Sequence, residues 1–403
     1  MDIRPSLLAL ALLTAAAESP AAPRADRYEL GGTPVLTGNS DIGFGFGALA
    51  SLARLRPGCA PYCWRLEGLV LMTVKDAPGG AELPYHNYYL KLDLPSLLGG
   101  KLRLYGQLSF SRFTNNGYYG LGNGAPALDG DGEDSRFHQY DRIFPHLSTQ
   151  ARLQLIPHLS LLLGGRFTYN WITVYQPSRL AEDLEREDLH DLLRGVSDHA
   201  LVEMDLGWVW DSRDHELVPT SGMLHEISWR FVPGTSSDPD LAHGGLNLTA
   251  RAYHALWGER LVVAARVMAD LLLGQPPFYE LAHSGGLFPI DAIGGGTAIR
   301  GVPQQRYHGK IKLLANLELR SKLVPFSIKS QRFNLGATVF ADTGRVWADY
   351  AARDDLDGGP VLKLGLGGGM RLQWGETFLL RADVAWSPDA RPVGVYVDVN
   401  HIF

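Results

Sequence analysis

The chain contains 403 residues, of which 45% are hydrophobic and 20% are charged, and its formal net charge is -6 at pH 7. This hydrophobic content excludes a disordered chain, and the lack of a basic excess argues against a nucleic-acid partner. Beyond the N-terminus, no apolar run approaches the roughly 18–20 residues that a membrane-spanning helix needs. Mean hydropathy is -0.06, and the chain has 46 Gly but only 2 Cys. Such a composition suits a membrane β-barrel, whose strands are apolar on one side only.

The first residues, 1–17, have the features of an export signal. An apolar stretch from Leu7 to Leu13 is followed by Ala15 to Ala17, which offers an A-x-A cleavage site. A disordered apolar tail is the alternative interpretation. We expect residues 18–27 to form a short N-terminal segment and residues 28–403 to form one barrel domain.

The two cysteines lie close together in the chain. Export would place the mature protein in an oxidising compartment, where Cys59 and Cys63 could form a disulfide across the three residues between them. From the sequence, a disulfide and two free thiols are about equally well supported. A metal-binding pair is less favoured, because no His or further Cys lies nearby, and we predict no metal centre and no cofactor.

Apolar and polar residues alternate through most of the chain. In residues 201–211, for example, Met204 and Leu206 alternate with Glu203 and Asp205. The same period of two recurs in residues 101–113, 311–321, 363–374, 378–386 and 393–403. Alternating segments of about ten residues are typical of strands that span a membrane.

Alternation alone does not distinguish a soluble β-sandwich from a membrane barrel, because the two differ in which face is inside. The segments are longer than ordinary globular strands, their polar faces carry charges of both signs, and aromatic residues cluster near their ends. Short connections alternate with long ones, and about sixteen strands fit between Tyr28 and Phe403. We therefore predict an all-β fold: a transmembrane antiparallel β-barrel in contact with the lipid of a bacterial outer membrane.

Four short motifs stand out. The first places Asp211, Arg213 and Asp214 before a Pro-Thr-Ser-Gly run that ends in Gly222. The others are residues 294–302 (GGGTAIRGV), residues 340–347 (FADTGRVW) and the C-terminal strand, which we expect to run through Phe403. In this order the four motifs resemble those of the BamA/TamA-type outer-membrane assembly barrels, the bacterial surface antigen family.

The resemblance covers roughly residues 28–403 and has two local departures. Val302 replaces an aromatic residue of the family's loop tip, and Asn400 stands where the family usually has Gly. Assembly members of the family usually carry periplasmic POTRA domains before the barrel, and the predicted first strand leaves no room for one.

The resemblance implies that the barrel aids outer-membrane protein assembly or polypeptide translocation. It further implies client polypeptides and a separate periplasmic partner. The alternative is a pore or a structural surface barrel that keeps the fold without insertase activity.

The longest loop contains Arg300, which needs charged partners if the loop folds into the barrel, because an unpaired buried guanidinium is costly. Glu318 and Asp342 lie on the polar faces of adjacent strand candidates, and either could form a charge-assisted pair with it. Gly301 and the preceding glycines would permit the tight backbone path. The resemblance implies that this loop stabilises the barrel, whereas the alternative is a surface loop with a solvated arginine.

The first strand candidate contains Pro34 as well as Gly31 and Gly32, which weaken strand pairing. In the family a weak seam between the first and last strands serves as a lateral gate for client strands. The alternative is a poorly formed barrel edge without a function.

Catalytic motifs are weak. Residues 282–286 (AHSGG) lack the first Gly of a nucleophile elbow, and residues 129–134 (DGDGED) lack the Gly that a calcium-binding loop requires. We predict no catalytic residues, and we do not expect an enzyme.

Overall fold

The computed structural model describes residues 26–59, 62–77, 80–125, 136–234, 239–286, 289–290, 293–328, 331–374 and 378–403. The predicted export signal, nearly all of the segment 18–27 and the acidic run 129–134 lie outside the described residues. No helix within these ranges is long and apolar enough to cross a bilayer.

The described chain forms one antiparallel sheet of strand segments. In order they are β1 Arg27–Asn39, β2 Gly43–Leu55, β3 Trp64–Ala77, β4 Gly80–Glu82, β5 Tyr85–Leu97, β6 Leu102–Gly117, β7 Gln139–Ile143, β8 His146–Ile156, β9 Leu159–Val174, β10 His199–Asp211, β11 Gly222–Val232, β12 His243–Trp257, β13 Leu261–Gly274, β14 Ile311–Ile328, β15 Gln331–Trp347, β16 Lys363–Trp374, β17 Phe378–Ser387 and β18 Ala390–Val399. The connections contain helices α1 Arg179–Leu184 and α2 Asp354–Asp357, and the 3₁₀ helices Leu98–Gly100, Arg136–His138, Glu187–Leu189, Pro239–Leu241 and Phe278–Ala282.

Two of the barrel strands are interrupted. β4 and β5 both pair with β3, with Pro84 between them, and β7 and β8 both pair with β6 and β9, with Pro145 between them. Proline has no N–H to give to the ladder, so a break at these positions is expected. Counting each pair as one strand reduces the described segments to sixteen, and β1 pairs with β18 to close the barrel. The predicted fold class and strand number are confirmed.

The apolar face of the sheet points outward. On β10, Met204 is 47% exposed and Leu206 46%, whereas Glu203 and Asp205 line the interior. The lumen contains a set of buried charged side chains that includes Arg230, Arg266, Asp270, Lys312, Glu318, Arg320, Asp342, Arg371, Arg381 and Asp383. A soluble sandwich would have the reverse arrangement, so the structure supports the membrane barrel.

The two ends of the barrel differ. One end, which we call the short-turn end, carries tight connections such as residues 157–158 and 258–260. The opposite, long-loop end carries the extended connections, which pack together through buried apolar residues, one from each of five loops: Tyr118, Leu189, Leu241, Phe278 and Leu356. Tyr118 also donates a hydrogen bond of 2.9 Å to Asp183. Burial and the Asp183 carboxylate raise the pKa of the Tyr118 hydroxyl.

The C-terminal strand is shorter than predicted. β18 ends at Val399, and Asn400 has a φ of 65°, a left-handed conformation that Asn tolerates better than most residues. The chain then turns inward, so that Phe403 is only 7% exposed. Its ring centroid lies 5.1 Å from the guanidinium of Arg266 and 4.9 Å from that of Arg320. The prediction of a strand through Phe403 is wrong, because the lumen offers this ring two cation–π partners.

Replacing Leu317 with arginine tests the outer face. Leu317 lies near the middle of β14 and is 53% exposed. Leu317→Arg should destabilise the barrel by roughly 2–4 kcal/mol in lipid, because the charge would face hydrocarbon. Urea unfolding in phospholipid vesicles, followed by the heat-dependent shift on semi-native gels, measures this change. Tyr350→Arg, in a half-exposed loop position, is the matched control; equal stability of both variants would contradict a lipid-facing surface.

Candidate functional site

The loop between β13 and β14 enters the barrel, as predicted. Its tip turns through Gly294, Gly295 and Gly301, whose φ angles of 109°, 86° and 90° favour glycine. The N–H of Gly295 donates to the Val302 oxygen at 2.8 Å, which closes the tip. Val302 is fully buried among apolar neighbours, so an aliphatic side chain fills the position where an aromatic residue was expected.

Arg300 is fully buried and makes charged contacts to three strands. Its Nε and Nη2 donate to the two carboxylate oxygens of Asp342 on β15, at 2.8 and 2.9 Å. Its Nη1 donates to Glu318 on β14 at 2.7 Å and to Asp383 on β17 at 3.2 Å. The guanidinium carbon also lies 3.3 Å from the ring centroid of Phe340. The structure therefore brings together Arg300, Glu318 and Asp342, and adds Asp383, which was not predicted to contact Arg300.

The charge balance around Arg300 favours the ionised guanidinium. Burial alone would lower its pKa, but the carboxylates of Asp342 and Glu318 outweigh burial and raise the pKa above its ordinary value. The bidentate pair with Asp342 also fixes the orientation of the planar group. We call Arg300 and its three carboxylates the loop lock.

Glycines on β16 give the loop tip its space. A Cβ atom at Gly365 would overlap the backbone oxygen of Arg300. A Cβ atom at Gly367 would lie 2.5 Å from Cζ of Phe340, the ring that faces the guanidinium. The glycine-rich stretch of β16 thus allows the loop to approach the wall closely.

A second anchor holds the same loop nearer the long-loop end. Asp270 on β13 accepts hydrogen bonds from Arg230 at 3.0 and 2.9 Å and from the N–H of Gly285 at 2.9 Å. Nζ of Lys312 lies 3.3 Å from Asp270 and donates to the backbone oxygen of Glu280 at 3.0 Å. The loop is therefore bound to the barrel wall at two positions along the barrel axis, at the loop lock and at Asp270.

The segment 282–286, which resembles a nucleophile elbow only in part, belongs to this second anchor. Ser284 is buried, and its hydroxyl contacts the backbone of Ile290 at 3.3 Å. Nδ1 of His283 contacts the backbone oxygen of Tyr279 at 2.7 Å. These backbone contacts hold the loop segment in place.

The family turn motif lies at the short-turn end, between β10 and β11. Arg213 donates through Nε and Nη2 to the two oxygens of Asp211, both at 2.9 Å, and Asp214 accepts the N–H of Thr220 at 2.9 Å. Gly222 has a φ of 96°, and a Cβ there would overlap the Ser212 backbone. The four motif residues therefore shape one turn.

The cysteines occupy another connection at the short-turn end, between β2 and β3. The structure joins Cys59 and Cys63 by a disulfide with a Cα–Cα distance of 4.9 Å. The described residues contain no free cysteine.

The seam between β1 and β18 is short. In the described ladder, two residue pairs connect these strands, Gly38 with Val397 and Asn39 with Tyr396. By contrast, β14 and β15 pair along almost their whole length. The hydroxyl of Tyr396 also accepts a hydrogen bond from the N–H of Gly301 at 3.0 Å. The last strand therefore borders the seam and also holds the loop tip.

The closed barrel, its inward loop and its short seam define a class of outer-membrane barrel proteins. The model of the Omp85 superfamily domain matches residues 83–396. The chain belongs to the Omp85 superfamily, and the resemblance to BamA/TamA-type barrels drawn from the sequence is confirmed.

Two solved structures share the fold. BamA from Haemophilus ducreyi lacking POTRA domains 1–3 is 15% identical with a TM-score of 0.59, covering 93% of this chain and 70% of that chain. CdiB from Escherichia coli is 13% identical with a TM-score of 0.60, covering 95% of this chain and 63% of that chain. A search of curated proteins finds no match. At these identities the likeness establishes the fold.

Removing the arginine of the loop lock should weaken the barrel. Arg300→Ala should lower the free energy of unfolding by roughly 3–5 kcal/mol, because buried Asp342 loses its charged partner. Arg300→Lys keeps the charge but not the bidentate geometry and should recover part of this loss. The midpoint temperature of the shift on semi-native gels measures both variants.

The control is Arg353→Ala, which removes an arginine paired with the exposed Asp188 and Asp355. This variant should lose less than about 1 kcal/mol, as is usual for surface ion pairs. If Arg300→Ala were no less stable than the control, the loop lock would not stabilise the barrel.

Proposed function

We propose that this protein acts in the bacterial outer membrane as an insertase or translocase for polypeptides. The observation that carries the proposal is the short seam, where two residue pairs form the described ladder between β1 and β18. Two hydrogen bonds flank them, from Thr37 Oγ1 to the Val397 oxygen at 2.8 Å and from the Ser40 N–H to the Val395 oxygen at 3.1 Å. The outward apolar face supports an outer-membrane location, and membership of the Omp85 superfamily supports the class of activity.

The free edge of β1 is suited to pair with an incoming strand. β1 pairs with β2 along all of its residues, but only its end at Gly38 and Asn39 pairs with β18. The rest of that edge presents backbone N–H and C=O groups, and such an edge can template another strand. Pro34 removes one donor and limits how tightly any strand binds there. A client strand could therefore add to β1 and later leave it.

The loop lock lies on one side of the seam. Its hydrogen bonds reach Glu318 on β14, Asp342 on β15 and Asp383 on β17, and Tyr396 on β18 holds the neighbouring N–H. These contacts fix the last strands of the barrel as one wall. Opening the seam by moving β1 would leave these bonds intact, so the lock stabilises the barrel in either state.

Clients must reach the seam from the periplasm in this proposal. The described termini lie at the short-turn end, which would face the periplasm if the long loops face outward. A separate periplasmic protein would then deliver unfolded polypeptides to β1. Membrane lipid contacts the apolar outer face on both sides of the seam.

A disulfide across the seam tests the proposal. Gly38→Cys combined with Val397→Cys places two thiols in directly paired positions. In phosphatidylethanolamine–phosphatidylglycerol vesicles, the reduced variant should accelerate folding of a urea-unfolded eight-stranded outer-membrane barrel relative to empty vesicles. Oxidation should abolish the acceleration, because the locked seam cannot accept a strand. The heat shift of the eight-stranded barrel on semi-native gels measures its folding rate.

The matched control carries Ala252→Cys and Ala265→Cys, a direct pair between β12 and β13. Both variants carry serine at positions 59 and 63, so that the engineered thiols pair with each other. Oxidation should leave the activity of the control unchanged. Acceleration that persists with a locked seam would exclude the lateral route, and no acceleration in the reduced state would overturn the insertase proposal.

A polar cavity favours a pore as the second candidate. It has a volume of about 490 Å³ and lies beside the inward loop, lined by charged residues that include Lys91, Arg142, Arg152, Arg166, Glu203 and Asp205. A lumen lined by charged side chains can conduct ions when both mouths open.

Planar-bilayer conductance separates the two candidates. We expect small, flickering currents from the unmodified chain, because the loop fills part of the lumen and the long-loop end is packed. Arg300→Ala should increase the currents by releasing the loop tip. A large, steady conductance from the unmodified chain, unaffected by Arg300→Ala, would favour the pore.

A further inference from the structure

A smaller cavity lies near the short-turn end, against the wall of the last strands. It has a volume of about 40 Å³ and is lined by Arg320 of β14, Thr338 of β15 and Arg371 of β16. Residues 218–220, from the turn between β10 and β11, also line it, as do Glu259 and His401. One water needs roughly 10–15 Å³, so this cavity has room for a small polyatomic ion.

The wall of this cavity carries hydrogen-bonding atoms that have no partner within the described residues. They are Nη1 of Arg320, Oγ1 of Thr338, Nε and Nη2 of Arg371 and Nδ1 of His401. Arg320 is 6% exposed, Thr338 1% and Arg371 4%, so bulk water does not readily reach them. Buried polar groups are nearly always satisfied in proteins, and this concentration of donors points to a ligand that accepts hydrogen bonds.

Charged side chains of both signs surround the cavity. Buried guanidinium groups outnumber the buried carboxylates that they contact in this cluster, whose members are Arg300, Arg320, Arg371, Arg381, Glu318, Asp342 and Asp383. Asp398 adds a carboxylate to Arg381, but its side chain is 47% exposed. Buried Arg266 adds a cation whose hydrogen bonds go to uncharged oxygens, including that of Asn316. The carboxyl group of Phe403 accepts a hydrogen bond from Nη2 of Arg320 at 2.8 Å, which leaves Nη1 of Arg320 for another acceptor.

Strand register explains why the cations meet here. Arg320 is directly opposite Thr338, and Arg371 is directly opposite Arg381. Like charges in directly opposed positions repel each other. Asp383 contacts Nη1 of both Arg371 and Arg381, at 2.5 and 3.2 Å, which leaves Nε and Nη2 of Arg371 for another acceptor.

We propose that this cavity binds one small oxoanion of the phosphate type, held by Arg320, Arg371 and Thr338 beside residues 218–220. A tetrahedral oxoanion offers several acceptor atoms, and guanidinium groups match it through paired hydrogen bonds. The oxoanion is either free phosphate or the phosphate of a phospholipid headgroup. This site does not depend on the proposed insertase function.

Titration of the full chain in detergent tests the site. Inorganic phosphate, added at an ionic strength held constant with chloride, should show saturable one-to-one binding by calorimetry. Thr338→Val removes one hydroxyl and should weaken binding about tenfold, the effect of one hydrogen bond to a charged ligand. Arg371→Met should weaken binding further, because it removes two donors and a charge. Arg166→Met, a lumen arginine on the opposite wall, is the matched control and should bind phosphate normally.

A second probe identifies the source of the phosphate group. Dihexanoylphosphatidylglycerol, used below its micelle concentration, should bind at least about tenfold more tightly than inorganic phosphate if a headgroup is the ligand. If free phosphate is the ligand, inorganic phosphate should bind at least as tightly as the lipid. Absence of saturable binding for both probes, or unchanged binding by folded Thr338→Val and Arg371→Met, would overturn the proposal.

Discussion

The burial of the Arg300 guanidinium is the constraint around which the barrel interior is organised. A buried cation is unfavourable alone, and so are the buried carboxylates that surround it, but together they satisfy one another. Asp342 supplies the bidentate contact, while Glu318 and Asp383 add contacts from β14 and β17. Because these partners come from separate strands, the arginine fixes the curvature of that wall as well as the path of the loop. The glycines of β16 are needed for the same reason, since they make the close approach possible.

The fold was largely predictable from the sequence, because the alternation of apolar and polar residues within each barrel strand shows which side chains share a face. Period-two alternation predicted the strands. The length of the segments, the charges of both signs on their polar faces and the aromatic residues near their ends favoured the membrane barrel over a sandwich. The C-terminal residues were harder to predict, because the partners that draw Phe403 inward are Arg266 and Arg320, far away in the chain. Alternation alone continued the strand through Phe403, since nothing local distinguishes an apolar residue that faces lipid from one that packs on arginine.

The candidate site was predictable in part for a related reason. Glu318 and Asp342 lie on adjacent strands, so local pattern and strand order were enough to place both near Arg300. Alternation had also assigned Asp383 to a polar face, but its contact with Arg300 depends on the curvature of the closed barrel, which the sequence does not express. The same holds for Tyr396 and its bond to the loop tip. Contacts between neighbouring strands can be predicted from periodicity, whereas contacts that a loop makes with strands further away require the three-dimensional closure.

The disulfide at the short-turn end bears on how the barrel would open. Cys59 and Cys63 lie in the turn between β2 and β3, and β2 pairs continuously with both β1 and β3. The first three strands therefore form one continuously paired part of the sheet, and the disulfide closes one of its turns at the short-turn end. If the two residue pairs of the seam separate, these three strands would move together as one rigid body. Separating them one at a time would first break the long β1–β2 and β2–β3 ladders. The hinge of this motion would fall at the next strand, which is already divided at Pro84.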